Sequence, residues 1–143
     1  MTSDETICID ETNDEKINNV IKDGVRNYNA PYFGSNRLKS FTIYIKNIES
    51  NIIAGLIGSY REKRYLHIDL LWVEETLRDR GLGKKLILKC EEFSKINGCS
   101  YIQLDTFDFQ ARPFYEKLGF ECVGTIPQWT EGRDCYFMKK TLT

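Results

Sequence analysis

The chain has 143 residues, 41% of them hydrophobic and 13% aromatic, with 20 basic and 21 acidic side chains and a net charge of −1. That length suits one domain, read here as 1–143, and it can bury a core without disulfides or metals. The charge balance excludes a global field that recruits nucleic acid, and the ordinary hydrophobic fraction argues against wholesale disorder.

The start, MTSDETICID, is acidic and polar, so it does not read as a signal peptide. Thr6 to Asp10 reads as a short strand. Thr12 and Glu15 then have capping-box spacing, in which hydroxyl and carboxylate each satisfy a free backbone N–H. The helix that follows places Ile17, Val20, Ile21 and Val25 on one face. Asn27 to Lys39, with Pro31 and Gly34 among aromatics, reads as a loop holding at most a short helix.

FTIYIKNI and IIAGLIGSY read as hairpin strands around a turn at Glu49 to Asn51. YLHIDLLWV is a third strand. From Leu82 a helical repeat at Leu86, Cys90 and Phe93 stops at Asn97-Gly98, a C-terminal cap signal. YIQLDTF is a strand, Gln110 to Leu118 a short helix closed by Gly119, and Phe120 to Thr125 and Cys135 to Lys140 the last strands. The fold class is therefore α/β, a sheet covered by helices.

No apolar run approaches the ~20 residues of a membrane span. Cys8, Cys90, Cys99, Cys122 and Cys135 form no CxxC pair, and His67 is the single histidine, so no structural zinc site is expected. Free, mostly buried thiols in a reducing cytoplasm fit this pattern. The expectation is a cytoplasmic protein with no metal, no membrane partner and no nucleic-acid partner. Nothing in the composition excludes a homodimer.

The most informative segment runs from Leu70 to Leu86, where a strand enters a loop with Arg78, Arg80, Gly81 and Gly83 and a helix begins at once. Converging amides and the helix dipole favour an anion there. Arg78, Arg80 and Lys84 add full positive charge. Such a turn suits a phosphate or pyrophosphate, and the alternative is a capped surface helix with basic decoration. A dinucleotide fingerprint fails because Leu86 stands where its third glycine belongs, and the P-loop pattern is absent.

Arg78-Asp79-Arg80-Gly81-Leu82-Gly83 resembles the R/Q-x-x-G-x-G/A pattern of the GNAT superfamily of N-acetyltransferases. The stretch from Asp108 through Gln110, Ala111 and Tyr115 to Gly119-Phe120 resembles that family's N-x-x-A-x-x-x-Y-x-x-x-G-F signature, with Asp108 in place of the usual Asn. The resemblance extends from about Phe41 to Leu142. It implies a mixed, mostly antiparallel sheet, splayed between YLHIDLLWV and YIQLDTF to admit acetyl-CoA as cosubstrate. Trp72, Val73, Arg78, Asp79, Arg80, Gly81, Leu82, Gly83, Lys84 and Asp108 would then contact the cofactor, although an aspartate accepts but cannot donate.

The same resemblance places Tyr115 where the family's general acid stands. For the base, plain strand alternation sends His67, Asp69, Leu71 and Val73 to one face. Histidine is the side chain whose ordinary pKa lies near neutrality. Asp69 could orient it or act in its place, and water remains a third carrier. Glu74 and Glu75 read as solvated loop residues. Acceptor contacts would come from Tyr28, Tyr32 and Phe33, and from Gln128, Trp129 and Glu131, since aromatics with a carboxylate suit a cationic amine. The reading is an N-acetyltransferase for a primary amine of a small molecule or peptide, acting in a ternary complex. The alternative is a non-catalytic acyl-CoA-binding module on the same fold.

Overall fold

A computed structural model of the chain describes residues 4–34 and 37–143. Two compact units are recognised, Met1–Asn36 and Arg37–Thr143. The first contains helix α1, Glu15–Phe33. Residues 6–10 form no strand. The Asp10 carboxylate instead accepts from both the N–H and the hydroxyl of Thr12, at 2.9 and 2.7 Å. Because Thr12 is tied back in this way, the helix begins later than the capping box suggested, with Asp14 as N-cap accepting from the Lys16 N–H. The helix also runs through most of the segment expected to be a loop. Pro31 lies close to its end and so removes only one late hydrogen bond. Gly34, at φ 70°, closes the helix with its N–H on the Ala30 carbonyl. Positions 35–36 of that expected loop lie outside the described residues.

The second unit contains β1 (Lys39–Lys46), β2 (Ile52–Arg61), β3 (Tyr65–Val73), α2 (Leu82–Ile96), β4 (Tyr101–Phe107), α3 (Arg112–Lys117), β5 (Glu121–Thr130) and β6 (Arg133–Thr141). The six strands form one sheet in the order β1-β2-β3-β4-β6-β5. Among the described residues only β3 and β4 pair in parallel. Parallel neighbours need a crossover, and α2 supplies it. The last hairpin is longer than the sequence suggested, because β5 continues to Thr130.

One face of the sheet packs on α2 and α3. Leu56, Leu66, Leu86, Ile87, Ile102 and Met138 are fully buried there, and each such side chain contributes about 1.5–3 kcal/mol by leaving water. On α2 the buried positions Leu86, Cys90 and Ser94 recur every fourth residue. Lys140 of β6 fastens this layer, donating to Glu91 of α2 at 2.5 Å and to the Leu118 carbonyl after α3 at 2.6 Å.

Within β3 the regular alternation breaks. Ile57 opposes Leu70 and Gly58 opposes Ile68, which leaves Asp69 as an extra residue in a β-bulge. Leu66 and Ile68 face the core before the bulge, and Leu71 and Val73 pack against it afterwards. His67 therefore lies on the sheet face opposite Leu71 and Val73, not on the same face as plain alternation required. Across the bulge, a Cβ on Gly58 would sit 2.2 Å from the His67 carbonyl oxygen and 2.8 Å from the Phe41 ring.

Gly58→Ala should accordingly lower the unfolding free energy by about 1–3 kcal/mol, as overpacking typically costs, read as a lower urea midpoint. Gly24→Ala on α1, where a Cβ meets nothing within 4 Å, should change stability slightly in the opposite direction through helix propensity. An unchanged midpoint for Gly58→Ala would show that the bulge tolerates a side chain.

Candidate active site

The parallel ladder between β3 and β4 ends at Ile68 and Leu104. Beyond that pair the strands continue without bonding each other, and each keeps its outer neighbour, β2 or β6. The facing backbone groups of Asp69–Val73 and Asp105–Phe107 therefore lack a strand partner across the gap. A cavity of about 260 Å³ opens there, lined by Asp69, Leu71, Asp105, Gln110, Ala111 and Tyr115 among others.

Two carboxylates converge on one histidine at the start of the gap. His67 Nε2 lies 3.5 Å from Asp69 Oδ1 and 3.8 Å from Asp105 Oδ1. Its Nδ1 is buried with no hydrogen-bond partner among the described residues, so Nε2 is the nitrogen that meets the two carboxylates. His67 and Asp69, singled out in the sequence, are thus neighbours, and the contact arises from the bulge. Asp105 was missed. Its signal lay in the alternation of YIQLDTF, where Ile102, Leu104 and Thr106 are buried and Asp105 must face the other way. Among the described residues, no group of His, Cys, Asp and Glu side chains is arranged to hold a metal ion.

Tyr115 reaches the same cavity from α3. Its ring packs edge-on against Phe114 and Phe120, with centroids 5.1 and 5.7 Å away. Burial pushes its hydroxyl up to about 12, so at neutral pH it keeps its proton and can give it. The turn before α3 is held by Gln110, whose Oε1 accepts from the Phe107 N–H at 2.7 Å and from the Thr106 hydroxyl at 3.3 Å.

The turn before α2 has the expected backbone. After a short 3-10 turn at Glu75–Leu77, Asp79 and Gly81 take positive φ values of 63° and 81°, and Gly81 is the N-cap of α2. No side chain caps the helix and no acid stands in its first turn. The early amides of Leu82, Gly83 and Lys84 thus need an outside acceptor. Arg80 and Lys84 have no carboxylate within ion-pair distance among the described residues, while Arg78 donates from Nε to the Val73 carbonyl at 3.1 Å. Gly83 is needed for packing as well, since a Cβ there would lie 3.2 Å from Phe114. Trp72 and Val73 oppose Gly55 and Ala54 of β2. Glu74 and Glu75 are exposed.

Asp108 is already engaged. Its Oδ2 accepts from the Asp134 N–H at 3.1 Å, and its Oδ1 lies 3.6 Å from Arg133. These contacts fasten the turn after β4 to the start of β6. Trp129 lies near the tip of the β5–β6 hairpin, tilted against Phe137 at 6.1 Å. Gln128 and Glu131 both have φ near 50° there, and the Gln128 N–H donates to Asp134. Tyr28, Tyr32 and Phe33 stand on α1, in the first unit.

The chain is similar to known acetyltransferases in sequence and in fold. The acetyltransferase (GNAT) family model matches residues 9–120. Blasticidin-S acetyltransferase of Streptomyces morookaense is 32% identical over 114 residues, which are 79% of this chain and 83% of that protein. The crystal structure of an acetyltransferase from Bacillus cereus superposes with a TM-score of 0.84 at 32% identity, covering 94% of this chain and 98% of that one. An aminoglycoside 6'-N-acetyltransferase complexed with coenzyme A shares the fold, with a TM-score of 0.64 at 17% identity over 92% of this chain and 94% of that one. The chain belongs to the GNAT family of acetyltransferases. It is a transferase enzyme, with the six-stranded mixed sheet and flanking helices of that family. Among the described residues no helix is long and apolar enough to cross a membrane.

The tyrosine offers a direct check of its burial. A hydroxyl that holds its proton to about 12 in the folded protein, against about 10 in an unfolded chain, supports folding fully below the unfolded value. That support fades as pH rises toward the folded value. Between about pH 10 and 12 the urea midpoint should therefore fall more steeply for the parent than for Tyr115→Phe. Equal slopes would place this hydroxyl in water.

Proposed function

We propose that the enzyme transfers an acetyl group from acetyl-CoA to a primary amine by direct attack within a ternary complex. The observation that carries this reading is the cavity in the β3–β4 gap, which has Tyr115 in its wall and unpaired strand edges along its sides. Acetyl-CoA supplies the acyl group as an activated thioester. The residues present suit it, because the first turn of α2 offers free amides without a competing acid, and Arg80 and Lys84 add charge for the pyrophosphate.

In this reading the exposed edge of β3 near Trp72 and Val73 bonds the pantetheine arm. Its N–H groups also steady the negative charge that develops on the thioester oxygen. Tyr115 gives its proton to the departing sulfur. The acceptor enters as an ammonium and must lose one proton before it attacks, and the Nε2 side of His67 takes that proton with Asp69 beside it. The titratable groups around His67 are Asp69 on its own strand and Asp105 on β4, while Ser59 of β2 and Gln103 of β4 are its register partners. The attacking nitrogen loses its second proton to water as the carbon–sulfur bond breaks and Tyr115 is reprotonated from water, so the amine ends as an amide and coenzyme A leaves as a thiol. Asp108, with its carboxylate committed to Arg133 and Asp134, holds the turn rather than the pantetheine.

Blasticidin S, streptothricin-like antibiotics, aminoglycosides, polyamines and peptide amines form the natural acceptor panel, assayed by the free thiol released. Saturating acetyl-CoA should stabilise the fold by ligand linkage, by about 2.7 kcal/mol at a hundredfold excess over Kd, and so raise the melting temperature. Arg80→Glu should cancel most of that rise. This reversal is a cleaner test than any change at Gly83, whose Cβ would press on Phe114. A parent protein indifferent to acetyl-CoA would remove the assignment.

Kinetics separates the two proton carriers from the binding groups. Tyr115→Phe should bind acetyl-CoA like the parent and lose about 10²–10⁴-fold in turnover, the usual contribution of a positioned acid. His67→Ala should also lose rate rather than acetyl-CoA affinity. Turnover unchanged in Tyr115→Phe, with chemistry rate-limiting, would give the proton transfer to water.

A further inference from the structure

Asp105 has no assigned role in the reading above, yet it stands at the most constrained point of the site. Leu104 is the last residue of β4 in register with β3, and Asp105 is the next, just as Asp69 follows Ile68. The two carboxylates are therefore the first side chains on either side of the gap. Both line the cavity, and both lie within 4 Å of the same imidazole nitrogen. Neither has a lysine or arginine within ion-pair distance among the described residues.

The rest of the surroundings leaves these charges for a visitor. Behind Asp105, Cys135 is buried with its Sγ 4.0 Å from Asp105 Oδ2, and burial keeps it a neutral thiol. His67 touches each carboxylate at a distance longer than a good hydrogen bond, and the long thiol contact from Cys135 to Asp105 Oδ2 is the one hydrogen bond to either carboxylate among the described residues, so Oδ1 of Asp105 and the Asp69 carboxylate are left for a visitor. Tyr115 lies across the cavity and comes from the side of the sheet that α3 covers. Asp105 projects from the opposite face, by the alternation with buried Leu104 and Thr106. The gap thus has an acid on one side and a pair of anions on the other.

We propose that Asp105 and Asp69 together seat the ammonium group of the acceptor at the mouth of the gap, on the sheet face away from Tyr115, so that Asp105 sets how tightly the acceptor amine is held. This rests on the acetyl-transfer reading and adds to it a residue. An ammonium has three donors and no acceptor, which matches two carboxylates flanking one position with the third donor left toward the cavity. Both carboxylates are about half exposed, 50% for Asp69 and 45% for Asp105, so the attraction is weakened by salt. Asp105 is in this sense an acceptor-binding residue, and the proton still leaves by way of His67.

The test compares the parent with Asp105→Asn and Asp105→Glu, using spermidine, kanamycin and blasticidin S as acceptor probes. Asp105→Asn should raise KM for the amine about 10- to 100-fold, as loss of a charged hydrogen bond would. KM for acetyl-CoA and the acetyl-CoA-induced rise in melting temperature should stay at parental values. The parental KM for the amine should climb with salt, that of Asp105→Asn should climb less, and Asp105→Glu should recover part of the affinity. A parental amine KM and salt dependence in Asp105→Asn would overturn the seat, even if that variant melted early. If no probe turns over, calorimetric titration of spermidine into the same three proteins makes the same comparison. A parent that ignores acetyl-CoA but binds spermidine in an Asp105-dependent way would refute the acetyl-transfer reading and leave the seat standing. Spermidine binding unaffected by Asp105→Asn would refute the seat alone.

Discussion

The structure depends on the early end of one hydrogen-bonded ladder. β3 and β4 pair through Ile68 and Leu104 and then part, in the middle of a sheet where unpaired backbone is costly. The cost is tolerated because each strand keeps its partner on the far side, and because α2 and α3 hold the core face in place. The bulge at Asp69 makes the departure geometrically feasible, since an extra residue increases local twist and bends the strand. Gly58, which leaves room for the His67 carbonyl, allows the bulge to form. A glycine on β2, a bulge on β3 and a gap toward β4 form one continuous arrangement.

Much of this fold was legible in the sequence because its central elements obey simple periods. β3, α2 and β4 follow hydrophobic patterns, with the arginine- and glycine-containing loop between β3 and α2 and the Asn97-Gly98 cap after α2, and the observed α2, Leu82–Ile96, lies between these two. The N-terminal segment was misread for local reasons. Ile7 and Ile9 alternate as a strand does, but strand formation needs a ladder that residues 6–10 do not have. Pro31 suggested a loop, whereas a proline this close to a helix end removes little.

The site was legible in its motifs and obscured in its facing. The family resemblance pointed to Tyr115 and the residue types to the basic turn; Tyr115 lines the cavity and Gly81 is the N-cap of α2. The facing of His67 relative to Val73 was wrong because a period of two assumes that every residue has an opposite, and Asp69 does not. Asp105 was passed over because its importance comes from the register between β3 and β4. That register is a long-range fact which neither strand carries alone. Asp108 shows the converse case, a motif position whose side chain is bound within its own turn.

The cysteines have a consequence for an enzyme whose proposed product is a thiol. Cys90, Cys99 and Cys135 are buried, and burial raises all three, Cys90 to about 12. Thioester exchange and mixed-disulfide formation both require a thiolate that can be reached. The interior of the sheet unit is therefore inert toward the proposed acyl donor and toward the coenzyme the proposed reaction would release. Cys8, exposed in the first unit, and Cys122, half-buried on β5, lie outside that protection, so any slow self-acylation or oxidation would begin at these two thiols and leave the core untouched.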